Sequence, residues 1–166
     1  MIWLIGCKGM LGTEIARQLK ENNIEFTGTD IDVDITNPEA LDKFASSLKN
    51  LEYVINCSAY TAVDKAESDV ELAKKLNEDG PGNIARTAKK YGAAVIHIST
   101  DYVFGAELYN TPCKEDQQGT PTGVYGLTKL HGEQKITAIG CNHVVIRTAW
   151  LYSEFGKNFC KTMLNL

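Results

Sequence analysis

The sequence predicts an α/β fold, a doubly wound parallel sheet of about six strands with helices on both faces. Three observations carry this expectation. Apolar runs of strand length alternate with segments of helical period, most of those runs are apolar throughout, and a glycine-rich turn joins the first run to the first helix. With 166 residues, 43% hydrophobic and 23% charged, the chain has the size and composition of one globular domain.

The strands fall at residues 2–5, 25–29, 33–35, 53–57, 94–99 and 143–148. Between the first two, Leu11, Ile15 and Leu19 recur at a spacing that stacks them on one helical face, while Glu14, Arg17 and Gln18 take the wet side. The second helix starts where Asn37 can cap it and Pro38 suits its first position, with Leu41, Phe44 and Leu48 as its buried stripe. Residues 68–91 are helical in pattern but contain Gly80-Pro81. Proline removes a backbone donor and crowds the preceding turn, so one kinked helix is expected there. The stretch 105–123 reads as a long loop bearing on substrate access, and the chain closes on an amphipathic run, NFCKTMLNL.

A net charge of -4 with both signs interspersed offers no basic stripe for a phosphate backbone, so nucleic acid is not an expected partner. The initial IWLI is far too short for a signal peptide or a membrane span. A cytoplasmic protein without a membrane partner is expected. Cys7, Cys57, Cys113, Cys141 and Cys160 stand singly, without metal or redox spacing. They read as reduced and mostly buried, and no metal site is assigned.

Gly6, Gly9 and Gly12 form GCKGMLG directly after the first strand. In that context Gly6 permits the tight turn, Gly9 lets backbone approach a diphosphate, and Gly12 lets the helix pack closely on the sheet, as in Rossmann-like folds. Lys8, Met10 and Leu11 complete the cofactor turn, whose helix-terminal N–H groups face the phosphates. Asp30, at the end of the second strand, can hold ribose hydroxyls and favours NADH, whereas Lys8 can pair with a 2′-phosphate and favours NADPH. Both readings stand. Asp34 and Ile35 are placed to border the adenine.

Tyr125 and Lys129 lie one helical turn apart, which stacks their side chains. A phenol with a reference pKa of ~10 is a poor proton donor at neutral pH, and an adjacent ammonium is expected to lower it. Thr100, at the end of the strand IHIST, sits where doubly wound sheets place their ligands. Its hydroxyl can bond the substrate oxygen that Tyr125 protonates while hydride from a nicotinamide attacks the carbonyl carbon. Lys129 would also hold the nicotinamide ribose.

The segments NCSAYTAVDKAES, STDYVF, VYGLTKLHGE and RTAWLYSEFGKNF resemble the dTDP-4-dehydrorhamnose reductase family of the extended short-chain dehydrogenase/reductase superfamily. The resemblance implies reduction of the 4-keto group of dTDP-4-dehydro-L-rhamnose by NADPH or NADH, with Thr100, Tyr125 and Lys129 as the catalytic residues. It further implies cofactor contacts from Ser58, Ala59, Tyr60 and Thr61, and sugar-nucleotide contacts from Val103 and Trp150 beside Thr100 and Tyr125. Plain core is the alternative for Trp150, but its place after a strand end in the ligand crevice favours the ligand role. The resemblance also admits a Mg2+ requirement, with no residue to assign to it, and a homodimer. Sugar-nucleotide dehydratases carry an Asp-Glu pair after the threonine, but here Asp101 is followed by Tyr102. Reduction is therefore preferred over elimination. Members of the family extend beyond the equivalent of Leu166 into a smaller substrate lobe, so residues 1–166 are expected to be the cofactor-binding, catalytic portion, with exposed sheet edges that favour self-association. The competing readings are a non-catalytic regulatory subunit, like that of methionine adenosyltransferase, and another sugar-nucleotide reductase or epimerase.

Overall fold

The structure is a computed structural model that describes residues 1–106 and 111–166, so part of the expected 105–123 loop lies outside the described residues. Its strands are β1 (Ile2–Ile5), β2 (Phe26–Thr29), β3 (Tyr53–Asn56), β4 (Ala94–Thr100) and β5 (His143–Thr148). They form one parallel sheet in the order β2-β1-β3-β4-β5. From β1 the chain runs outward to β2 and then returns to β3 on the other side of β1. That reversal opens a crevice at the carboxyl ends of β1 and β3.

The sheet has five strands among the described residues, not the six expected. Residues 33–35 are two successive turns, with Val33 N bonded to Asp30 O and Asn37 N bonded to Asp34 O. Asp32 Oδ1 accepts from Asp30 N, and Asp34 Oδ1 accepts from Thr36 N, so aspartate side chains replace a ladder partner. Val33 and Ile35 are nonetheless buried. The alternation that imitates a strand is one of burial alone.

One face of the sheet, carrying Trp3, Ile5, Val54 and Val95, packs against α2 (Pro38–Ser47), α5 (Gly80–Lys90) and α6 (Val124–Ile139) through Leu41, Ala45, Ile84, Ala88 and Ile136. The buried Trp3 indole donates to Thr29 Oγ1 at 2.8 Å and its ring meets Phe44 at 4.9 Å. Asn37 caps α2 by accepting from Glu39 N and Ala40 N. α1 (Met10–Glu21) follows the glycine turn and buries Leu19. On its wet side Glu14 accepts from both Arg17 and Gln18.

After α3 (Val63–Ala66), the chain is helical from Val70 to Lys90: α4 (Val70–Lys74), a π-helical turn (Lys75–Asp79) and α5. Helical angles persist at Lys75 and at Gly80, so the expected single helix stands, with one widened turn ahead of Pro81. α6 starts at an N-cap glycine without a side chain, and Glu67 serves instead, accepting from Val124 N at 2.8 Å. It ends on Gly140 in the left-handed region. α7 (Phe159–Leu164) has no buried residue, and on β5 Val144 and Ile146 are exposed. The cysteines are free, but only Cys141 is buried; Cys160 is exposed and the other three are half-buried. No helix among the described residues is long and apolar enough to cross a membrane.

Candidate active site

The carboxyl ends of the strands open onto a cavity of about 1030 Å³. Gly6 N and Cys7 N both donate to Thr29 O, and Gly6 turns the chain away from β1 with a φ of +76°. A Cβ on Gly6 would lie 2.8 Å from Ser58 N, and one on Gly12 would lie 2.0 Å from Gly6 O. Neither position admits a side chain. Gly9 caps α1 without a side-chain acceptor, and the first turn holds no acidic residue. The helix N-terminus is thus open to an anion.

Lys8, Gly9, Met10 and Leu11 line the cavity together with Asp30, Asp34 and Ile35. The Asp30 carboxylate accepts from Lys8 N and Ile31 N, both at 3.0 Å, which fixes it at the rim. A dinucleotide fits this set: the uncapped start of α1 at Gly9 opens onto the cavity where a diphosphate would pass, and a fixed carboxylate stands where a ribose would lie. Ser58, Ala59 and Thr61 line the same cavity, but Tyr60 does not. Its hydroxyl donates instead to Asp69 Oδ2 at 2.7 Å. Only the backbone of that loop and its smaller residues are turned toward the cavity.

Thr100, Tyr125 and Lys129 all line it, brought together from the end of β4 and the first turns of α6. Thr100 Oγ1 donates to Asp101 Oδ1 at 3.1 Å and accepts from Tyr102 N. The Tyr102 and Tyr125 rings meet edge to face at 5.5 Å. Burial raises the Tyr125 phenol above its ordinary value, outweighing the lowering by its hydrogen bond with Thr100. The expected lowering by Lys129 is not found. Lys129 Nζ, 2% exposed, donates to Ile98 O at 2.6 Å, and burial brings its pKa down to about 8 against the opposing pull of Glu133 and Cys57. In this arrangement one of the three ammonium N–H groups is taken by a carbonyl.

Trp150 is 72% exposed, which removes the plain-core reading. It has a φ of +54°, unusual for a bulky residue, and stands edge to face against Phe159. It borders the main cavity and also a second one of about 430 Å³, shared with Asp101, Tyr102, Phe104, Gly105 and Thr122. Val103, by contrast, is fully buried, lines neither cavity, and gives its carbonyl to Thr120 N. It braces the loop rather than facing a ligand.

Two arrangements escaped the sequence reading. Asn77, buried in the π turn, accepts from Tyr60 N at 2.8 Å and donates to Tyr60 O and Thr128 Oγ1, tying the loop after β3 to the helix of Tyr125. Beneath the site, the buried Glu133 pairs with Arg147 at 2.7 Å and accepts a short hydrogen bond from Ser99. Buried polar residues in the helical pattern were the available signal in both cases. Among the described residues no group of three or more acidic, His or Cys side chains is placed to hold a metal ion.

A parallel sheet whose first strand ends in a glycine-rich turn, with a Thr, Tyr and Lys cluster across the crevice, defines a protein of the Rossmann-like class. Within that class the chain belongs to the family described as the RmlD substrate binding domain, whose model matches residues 1–166. It is 42% identical over 99% of its length to a dTDP-4-dehydrorhamnose reductase of Mycolicibacterium smegmatis, 50% of which is covered. Among solved structures, a dTDP-4-dehydrorhamnose reductase from Clostridium acetobutylicum is 47% identical, with a TM-score of 0.93 over 99% of this chain and 58% of that one. Another, from Bacillus anthracis in complex with NADP, is 32% identical with a TM-score of 0.91 over the same shares. The chain therefore spans about half the length of the relatives it matches.

Proposed function

We propose that this chain is the cofactor-binding and catalytic portion of an NAD(P)H-dependent reductase acting on the 4-keto group of a dTDP-linked 6-deoxysugar, dTDP-4-dehydro-L-rhamnose. The observation that carries the reading is the convergence of Thr100, Tyr125 and Lys129 on the cavity that also contains the glycine turn. When bound, the nicotinamide supplies hydride to the carbonyl carbon. Tyr125, kept protonated by burial, gives its phenolic proton to the carbonyl oxygen as negative charge develops there. Thr100 orients that phenol and offers a hydroxyl to the same oxygen. Lys129, one turn below, holds a ribose and supplies positive charge to the pocket.

The turn at Gly6, Gly9 and Gly12 takes the diphosphate, and Asp30 takes the adenosine ribose. Trp150, exposed at the mouth of both cavities, offers its ring face to the sugar nucleotide. The names of the relatives support the same substrate class.

Calorimetric titration of the chain with NADPH, and separately with NADH, tests the cofactor half of this reading, and the stronger ligand decides between Lys8 and Asp30. Oxidation of NADPH in the presence of dTDP-4-dehydro-L-rhamnose, lost in Tyr125→Phe, tests the rest. Saturable nicotinamide binding without reduction of any sugar nucleotide, even when the substrate lobe of a relative is joined to the chain, would favour a regulatory role for the fold.

A further inference from the structure

Lys129 is 2% exposed, and its only hydrogen-bond partner among the described residues is the neutral carbonyl of Ile98. An ammonium taken out of water in this way tends to lose its proton unless a counter-charge stands close by. The titratable groups around it come from three elements, and of these Glu133 and Cys57 act on it. Cys57, after β3, is a thiol pushed up to about 12 by burial, and is therefore neutral. His97, on β4, is fully buried with its Nδ1 against Asn56, and burial holds it well below its ordinary value, also neutral. Tyr125, on α6 itself, stays a neutral phenol. Glu133 remains.

Glu133 is one helical turn beyond Lys129 on the same face of α6 and is 6% exposed. Its carboxylate is clamped from two strands: Ser99 on β4 donates to Oε1, and Arg147 on β5 donates to both oxygens. Ser99 and Arg147 are directly paired in the sheet, as are Thr100 and Thr148 beside them, so the clamp lies one residue behind the catalytic threonine. Arg147 is the more exposed partner, with 24% of its side chain in solvent against 8% for Glu133. Water screens the guanidinium more than the carboxylate, so Arg147 does not cancel the field of Glu133 at Lys129.

We propose that Glu133 is a positioning residue for the catalytic pair: its clamped, buried carboxylate is the counter-charge that keeps Lys129 an ammonium in its buried seat at the cavity wall. The inference rests on the proposed role of Lys129, but its test does not need turnover. Isotope labelling of the lysine side chains lets the Lys129 resonance, identified by its loss in Lys129→Met, be followed against pH in the full chain. Glu133→Gln keeps the shape and one acceptor oxygen, and lowers the Lys129 midpoint by about one pH unit or more. Glu133→Asp, which keeps the charge, restores most of that shift.

An unchanged midpoint in Glu133→Gln overturns the proposal. Should that variant not fold, Arg147→Gln gives the opposite sign: Glu133 loses its cation and the Lys129 midpoint rises, whereas an unchanged or lower midpoint again overturns it. The two readings fail separately. A midpoint that shifts as stated in a chain that binds no nicotinamide keeps Glu133 and removes the reductase. A midpoint that stays put in a chain whose reduction is lost with Tyr125→Phe does the reverse.

Discussion

Lys129 Nζ donates to the carbonyl of Ile98 at 2.6 Å, which ties the helix of Tyr125 to β4 two residues before Thr100. The bond crosses from α6 to β4, the strand beside the β5 edge, so the lysine that would serve a ribose also fastens its helix to the strand that carries the threonine. Its burial governs how the site responds to pH.

Burial lowers the Lys129 pKa from 10.5 to about 8. Between those values the unfolded chain holds a proton that the folded chain has released. This group therefore adds stability as pH rises from about 8 toward 10.5 and loses it over that same window as pH falls, with no further change below about 8. Nicotinamide affinity, which uses the ammonium, runs the other way and declines as pH rises through about 8. Titrations of NADPH affinity between about pH 7 and pH 9 check this; a flat profile contradicts it.

Tyr125→Phe removes the proton donor but none of the cavity wall. Reduction falls by roughly 10²–10⁴-fold while nicotinamide affinity stays within a factor of about two. Parallel turnover and titration measurements distinguish this from a loss of binding.

Gly12→Ala places a methyl 2.0 Å from Gly6 O and 2.8 Å from the Cys7 Cα. Both are backbone atoms of the cofactor turn, so α1 must move off the sheet. The expected cost is about 1–3 kcal/mol of stability, together with loss of nicotinamide binding. Thermal melting and calorimetry on the same sample read the two effects.

Asn77→Ala leaves Tyr60 N and Tyr60 O without the side chain that closes their loop, and Thr128 Oγ1 without a donor. A destabilisation of about 2 kcal/mol in urea unfolding is expected. Because Ser58, Ala59 and Thr61 sit in the same loop, nicotinamide affinity weakens as well, whereas a purely structural role for Asn77 would leave it unchanged.

Several parts of this protein are local in the chain and so are legible without coordinates. The strand-turn-helix unit at Gly6 to Gly12 depends only on neighbouring residues, as does the stacking of Tyr125 over Lys129 by helical period and the capping of α2 by Asn37. Residues 33–35 mislead because a strand and a pair of aspartate-stapled turns bury alternate residues alike, and only a ladder partner tells them apart.

Sequence by itself determined the doubly wound class, the phosphate turn and the identity of the Thr, Tyr and Lys cluster, since each follows from short-range periodicity and side-chain chemistry. Tertiary structure decided which groups face the cavity and how they titrate. Tyr60 turns to Asp69, Val103 turns inward, Trp150 stands exposed, and Lys129 gives one of its donors to Ile98. Those outcomes depend on contacts between residues far apart in the chain and on how much water reaches them. Spacing along the chain sets which side chains share a face, but the dielectric around a charge, and hence the protonation of Tyr125 and Lys129, is a property of everything packed against it.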